Sequence, residues 1–246
     1  MDLTTGEIEI DGTEIYYEYI WSCDEKPTIV FESGYGWSLE NWQSIKKKAA
    51  FLGNIFLYDR VGVGGSGNNN LPKHSGQCVT NLRRILQEAG ITKPVILVGH
   101  SFGGVNVRLF ARMYPKEIAG IILINFVHEE QNRKMVHLFS EEVQKQYLGQ
   151  FTVEATLKEF ELSLDQVRDT KLGNTPLIVL TGGSQHHHTP ESMTVWISFQ
   201  KELAALSTRS KHYFIEHAGH AIHIDDPEAV VKVIEEMVGM VLDPDR

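Results

Sequence analysis

The sequence predicts a doubly wound α/β sheet, mostly parallel, with helices on both faces and an inserted helical cap. Three observations predict it. Short apolar runs without alternation recur along the chain, helical patterns stand between them, and one stretch of about forty-five residues between two runs is helical in character throughout. The chain has 246 residues, a length that α/β folds reach as one domain, and 42 % of them are apolar, too many for a disordered chain. One domain over 1–246, with the cap at 128–172, is therefore expected, since no repeat or linker divides it.

The first element is a hairpin. Ile8 and Ile10, then Asp11-Gly12, then Ile15, Tyr17 and Tyr19 alternate around a two-residue turn. Beyond Pro27 the pattern changes to runs at Thr28–Phe31, Asn54–Tyr58, Pro94–Val98, Gly120–Ile124, Pro176–Leu180 and His212–Ile215. Runs this short and this uniformly apolar suit strands buried on both faces. Helical spacing covers Leu39–Leu52, Cys78–Ala89, Phe102–Met113, Met193–Leu206 and Pro227–Val241. The last opens with Asp226 as N-cap, Pro227 at the first helical position and Glu228 in the first turn.

Gly99-His100-Ser101-Phe102-Gly103 lies between a strand and a helix, the context that gives G-x-S-x-G a chemical meaning. A serine at so tight a turn is strained, and the glycines two residues away on either side let strand and helix approach. The turn lifts the hydroxyl above the sheet beside the helix N-terminus, whose free N–H groups favour developing negative charge. A serine hydroxyl needs a base. Of the 11 histidines, His220 is the candidate, in the loop between the last strand and the last helix, at the same sheet edge as Ser101. His217 and His223 compete with it.

These motifs resemble the α/β-hydrolase-fold serine hydrolases over nearly the whole chain, in an esterase- or lactonase-like form. The resemblance rests on Phe31-Glu32-Ser33-Gly34-Tyr35-Gly36, Asp59-Arg60-Val61-Gly62-Val63-Gly64-Gly65-Ser66, the serine turn, Tyr114-Pro115 before Gly120–Ile124, Ala218-Gly219-His220 and Asp226-Pro227, in that order. It implies an oxyanion hole made by the backbone N–H groups of Phe102 and Tyr35, with Ser33-Gly34 where the family usually has His-Gly. It also implies an acid for the histidine. The loop after the penultimate strand, Thr181 to His188, has no carboxylate. The strand before the cap ends in Asn125, where similar sequences read Leu-Val-Asp. An amide can orient a histidine but adds no charge, and the equivalent loss in serine proteases costs about 10⁴ in kcat. Asn125 orienting the base in a slow or inactivated enzyme, Glu129, Glu130 or Glu191 substituting for it, and a site that binds without turnover are the three readings left open.

Gly62–Gly67 also spells G-x-G-x-x-G, with Glu88 about twenty residues on, yet Asn68-Asn69-Asn70-Leu71-Pro72 follows and no helix could hold a pyrophosphate there. A structural turn braced by Asp59 and Arg60 is expected instead. His186-His187-His188 reads as a solvated loop, since consecutive histidines do not converge on one ion. Lys46-Lys47-Lys48 reads as a solvated helix face. Phe126, Phe139, Tyr147, Phe151 and Phe160 pack from the cap, and of these Phe126, Phe139, Tyr147 and Phe151, with Gly34, are the candidates for substrate binding. Trp37, Trp42 and Trp196 are either core or pocket.

With 32 acidic and 23 basic residues the net charge is −9, which argues against nucleic acid or an anionic membrane as partner. No apolar run reaches the ~18 residues of a bilayer span, and Met1–Glu7 lacks the features of a secretory signal. Cys23 and Cys78 suit a reducing compartment better than a disulfide scaffold, with one bridge still open. The expectation is a cytoplasmic hydrolase, monomeric or a small homo-oligomer, acting on a small ester, lactone or thioester with no metal and no organic cofactor. The alternative is a slow or non-catalytic binding module on the same fold.

Overall fold

The computed structural model describes residues 2–243. Strands β1 (Asp2–Ile10) and β2 (Thr13–Trp21) form the hairpin, with Ile10 opposite Thr13. Asp11 and Gly12 both take positive φ (52° and 74°), the left-handed pair that lets a two-residue turn follow the twist of its strands. The remaining strands are β3 (Thr28–Glu32), β4 (Asn54–Tyr58), β5 (Val95–His100), β6 (Ile118–Ile124), β7 (Leu177–Gly182) and β8 (Ser210–Ile215). They complete an eight-stranded sheet in the order β1-β2-β4-β3-β5-β6-β7-β8. Among the described residues only the β1–β2 and β2–β4 pairs are antiparallel.

Two cores explain the unalternating runs. Val30, Phe56, Leu97, Leu123 and Val179 point to one face, under α2 (Ser75–Glu88) and α3 (Phe102–Met113). Their strand neighbours Ile29, Phe31, Val98, Ile122 and Leu180 point to the other, under α1 (Gln43–Ala49) and α9 (Pro227–Leu242), which bears Val230, Ile234 and Met237. A strand that must bury both faces has no room for polar alternation.

The helix expected over Leu39–Leu52 is divided. A 3-10 turn at Leu39–Trp42 precedes α1, because the Leu39 N–H donates to Asp59 Oδ1 (2.7 Å) and pulls the chain onto the end of β4. Between β6 and β7 lies the expected strandless insertion, with α4 (Gln131–Lys134), α5 (Glu141–Gly149) and α6 (Leu157–Val167). Thr156 and Glu159 close a capping box at the start of α6. That helix buries Phe160, Leu164 and Val167 against α2 and α3, so the insertion is packed onto the same core. Helix α7 (Pro190–Ala204) follows β7, and the single turn α8 (Ile222–Asp225) precedes α9. No helix among the described residues is long and apolar enough to cross a membrane.

Candidate active site

Ser101 stands between β5 and α3 at φ 53° and ψ −118°, a conformation that non-glycine residues avoid. Close packing holds it there. A Cβ on Gly99 would lie 2.8 Å from the Gly104 Cα, and one on Gly103 would overlap the carbonyl oxygen of Glu32. The Ser101 N–H donates to Ile124 O (3.1 Å), tying the turn to the end of β6.

The turn opens on a cavity of about 380 Å³ between the sheet edge and the insertion. Ser101, His220, Tyr35 and Phe102 line it, as do Phe139, Tyr147 and Phe151. Phe102 begins α3, and the first N–H groups of a helix have no intrahelical partner. The Tyr35 N–H likewise has no hydrogen-bond partner among the described residues. Gly34 lies beneath, so close that a Cβ there would come within 3.4 Å of the Ser101 Cβ. Phe126 is elsewhere. It is wholly buried behind the turn, and because it packs on Gly104 and beside Arg108 it contributes nothing to the cavity wall.

Asn125 is buried at the end of β6, but its side chain meets the backbone of the histidine loop, not the ring. Its Nδ2 donates to Gly219 O (2.7 Å) and His220 O (3.0 Å), while its Oδ1 accepts from the Gly182 N–H (2.8 Å). His220 Nδ1 is buried and has no partner. The three glutamates are not at the ring either. Glu129 pairs with Arg108 (2.8 Å), Glu130 with Arg168, and Glu191 is exposed in the first turn of α7. His220 is therefore held through its main chain. Its carbonyl accepts from Asn125 and from His100 Nε2 (3.1 Å), and the preceding Gly219 N–H donates to Asp225 Oδ2 (2.7 Å).

With no carboxylate to favour the imidazolium, burial dominates. Burial first, then His100, His187 and His188, pull His220 well below the ordinary histidine range. No hydrogen bond joins Ser101 Oγ to His220 among the described residues; such contacts often tighten only once substrate is bound. Of the competing histidines, His217 pairs with Asp226 (3.1 Å) on the surface, and His223 is buried beside Trp42, its ring 4.4 Å away.

Several cavity residues carry no sequence signal. Gln131, Gln146, Gln150 and Gln185 line it, and among the described residues no Lys, Arg, Asp or Glu does. The histidine triplet is only partly a solvated loop. His186 and His187 are exposed, yet His187 and the half-buried His188 also join the cavity wall, and His188 stands edge-on to Phe139 at 5.1 Å. Trp196 lines the cavity as well, whereas Trp42 belongs to the core, where its indole donates to Ser33 Oγ (2.9 Å). Lys46 departs from the solvated face expected of the lysine run, being buried against Glu18 (2.6 Å). Asp59 braces the glycine turn through the Gly65 N–H (2.8 Å), but Arg60 points the other way, into the loop of Ser33 and Gly34. No group of three or more His, Cys, Asp or Glu that could hold a metal ion exists among the described residues. Cys23 and Cys78 are both free thiols.

Comparison with known proteins bears on the fold and the family. The profile described as alpha/beta hydrolase fold matches residues 27–160. The uncharacterized protein YqjL of Bacillus subtilis (strain 168) is 31 % identical over 205 residues, which make up 82 % of this chain and 80 % of that protein. A thermophilic esterase from Thermogutta terrifontis superposes with a TM-score of 0.69 at 20 % identity, covering 98 % of this chain and 99 % of its own. The haloalkane dehalogenase DbeA from Bradyrhizobium elkani USDA94 does so with a TM-score of 0.75 at 16 % identity, covering 99 % and 100 %. These two likenesses speak for the fold alone. The profile match goes further, covering more than half of the chain, and by it the chain belongs to the alpha/beta hydrolase fold family.

Proposed function

We propose that this hydrolase cleaves a small, uncharged carboxylic ester, lactone or thioester through an acyl-enzyme on Ser101. The observation that carries the reading is the strained Ser101 opening onto a cavity that His220, Tyr35 and Phe102 also line. The serine oxygen attacks the carbonyl carbon while His220 takes its proton. The N–H groups of Tyr35 and Phe102 hold the oxyanion, and the imidazolium then protonates the leaving group. Water, deprotonated by the same histidine, releases the acid and frees the serine.

The identity of the nucleophile separates this reaction from others run on the fold. A serine oxygen that opened an epoxide or displaced a halide would become an alkyl ether, with no carbonyl for water to attack, and the cycle would stop. An acyl-serine keeps its carbonyl. Amide cleavage is disfavoured for a second reason: a histidine held below its usual range by burial, with no carboxylate behind it, is a weaker base. Esters and thioesters, whose leaving groups depart more readily, suit it. The absence of Lys, Arg, Asp and Glu from the cavity wall supports an uncharged substrate, because a buried charge would find no partner there.

The cap role of 128–172, a cytoplasmic location, a small molecule as the only partner, and a monomer or small homo-oligomer belong to the same proposal. The unpartnered His220 Nδ1 favours a second reading, a module that binds such a ligand without turnover. The two differ in covalent chemistry. Quenching a reaction with p-nitrophenyl butyrate early and finding the butyryl group on Ser101 by mass spectrometry supports the hydrolase. Turnover that survives Ser101→Ala overturns it, and ligand binding with no acyl adduct selects the second reading.

A further inference from the structure

Arg60 is buried beside the loop that follows β3, and its guanidinium is shared between the sheet and the insertion. On the sheet side, Nη1 donates to Ser33 O (2.7 Å) and Glu32 Oε1 (3.0 Å), and Nη2 donates to Gly34 O (2.7 Å). On the insertion side, Nε donates to Glu154 Oε1 (2.5 Å) and Nη2 to Glu154 Oε2 (3.0 Å), a two-point grip that fixes the plane of the guanidinium. The same Glu154 Oε2 accepts from the Gly36 N–H (2.9 Å). The Tyr35 hydroxyl completes the joint, donating to Ala155 O (2.6 Å) and accepting from the Glu154 N–H (3.1 Å).

Peptide geometry gives these contacts a consequence. The Gly34 carbonyl and the Tyr35 N–H belong to one peptide unit, which is planar and trans, so they point in opposite directions. Whatever pins the Gly34 oxygen aims the Tyr35 N–H. Arg60 pins it from one side, and the Trp37 N–H adds a second bond (3.1 Å). Glu32 touches only Nη1, so without Glu154 the guanidinium can pivot about that atom and release the Gly34 oxygen.

We infer that Glu154 is a positioning residue that acts through Arg60 and Gly36 to aim the Tyr35 N–H at the substrate oxygen, so the oxyanion hole is complete only with the insertion seated. This rests on the proposed hydrolase reading. The rest of the insertion has its own anchors, since Arg108 holds Glu129 (2.8 Å), Ser75 N–H bonds Ser163 Oγ (2.8 Å), and Phe160 and Val167 lie in the core. Replacing Glu154 therefore loosens the joint and leaves α6 docked.

The test is Glu154→Gln in the full chain, with Arg60→Lys as the second variant. Gln can still accept from the Gly36 N–H but cannot present two oxygens to the guanidinium, and Lys keeps the charge but loses the fork. Turnover of p-nitrophenyl butyrate is normalised to burst amplitude, so that misfolded molecules are not counted. The expected result is a fall in kcat per site of about 10–100-fold with KM within about threefold, the pattern of an interaction made in the transition state. Hydrogen exchange gives a readout independent of chemistry: the Trp37 amide, which Glu154 does not touch, should lose protection in Glu154→Gln while amides of β5 and α3 keep theirs. An unchanged kcat per site, a loss confined to KM, or unaltered exchange at Trp37 overturns the inference. A parent protein with no Ser101-dependent burst fails the hydrolase reading itself. The positioning role then falls with it, while unchanged Trp37 protection in Glu154→Gln would show that the joint had failed on its own.

Discussion

Asn125, buried just beyond the end of β6, grips the histidine loop through its side-chain amide. From sequence it occupies the acid position and invites restoration by Asp. In the structure its Nδ2 faces two backbone carbonyls, those of Gly219 and His220, and its Oδ1 accepts from the Gly182 N–H and, more distantly, from Gln185 Nε2 (3.5 Å). Its left-handed φ of 41° is one that Asn tolerates better than most residues. A carboxylate there can replace the bond to Gly182 but sets an oxygen against two others. Leaving buried polar atoms unsatisfied costs about 1–3 kcal/mol, and more when one carries charge. Asn125→Asp is therefore expected to lower the melting temperature and to leave turnover within several-fold of the parent. A gain of orders of magnitude would mean that the loop turns to bring His220 Nδ1 onto the new acid, contrary to the backbone staple from Asn125 to Gly219 and His220. The position of Asn125 was legible in the sequence as the end of a strand. The atoms it touches were not, because they belong to main-chain groups 57 to 95 residues away.

At the scale of elements, β5, the loop after β8, and α8 each deliver one histidine to a buried cluster. His100 and His220 have ring centres 4.9 Å apart, and His100 and His223 4.7 Å apart. Burial is the main cause of a depressed affinity for protons in all three, and it lowers His223, packed beside Trp42, to about 3. In the unfolded chain each returns to about 6.5. Above that pH neither state binds the proton and the stability is whole. As pH falls below about 6.5, the unfolded chain takes up protons that the folded one refuses, and stability declines until the folded values are reached. Each histidine contributes up to about 1.4 kcal/mol per pH unit in that window. Urea melts are expected to show a midpoint that drops between pH 7.5 and pH 5, with a shallower drop in His223→Gln. A midpoint indifferent to pH would mean that the cluster is not held neutral. The acid limb of kcat/KM should likewise lie below pH 6.5, since His220 stays a free base there.

For the molecule as a whole, the uncharged cavity and the net charge of −9 act together on substrate choice. Long-range repulsion slows an anionic ester, and the cavity offers its charge no partner. p-Nitrophenyl butyrate is expected to exceed a p-nitrophenyl monoester of a dicarboxylic acid by at least about tenfold in kcat/KM. Equal values would point to a cation at the site. Whole-chain architecture was the most legible level: unalternating runs such as Ile29-Val30-Phe31 must bury both faces, and in the structure Val30 enters one core while Ile29 and Phe31 enter the other. The serine turn was legible for the same reason, as its glycines answer a local steric demand at Gly99 and Gly103. Glu154 was not. It meets Arg60 across 94 residues of chain, and a lone carboxylate in an irregular stretch carries no periodicity to mark it. The cavity glutamines were hidden likewise, since nothing in their spacing separates a pocket wall from a solvated helix face.

The most direct measurement is a stopped-flow record of p-nitrophenolate release from p-nitrophenyl butyrate, in the parent, in Ser101→Ala and in His220→Ala. A burst approaching one equivalent per protein molecule in the parent, absent from Ser101→Ala and slowed by orders of magnitude in His220→Ala, is the predicted result. Equal release by all three proteins would contradict an acyl-enzyme on Ser101.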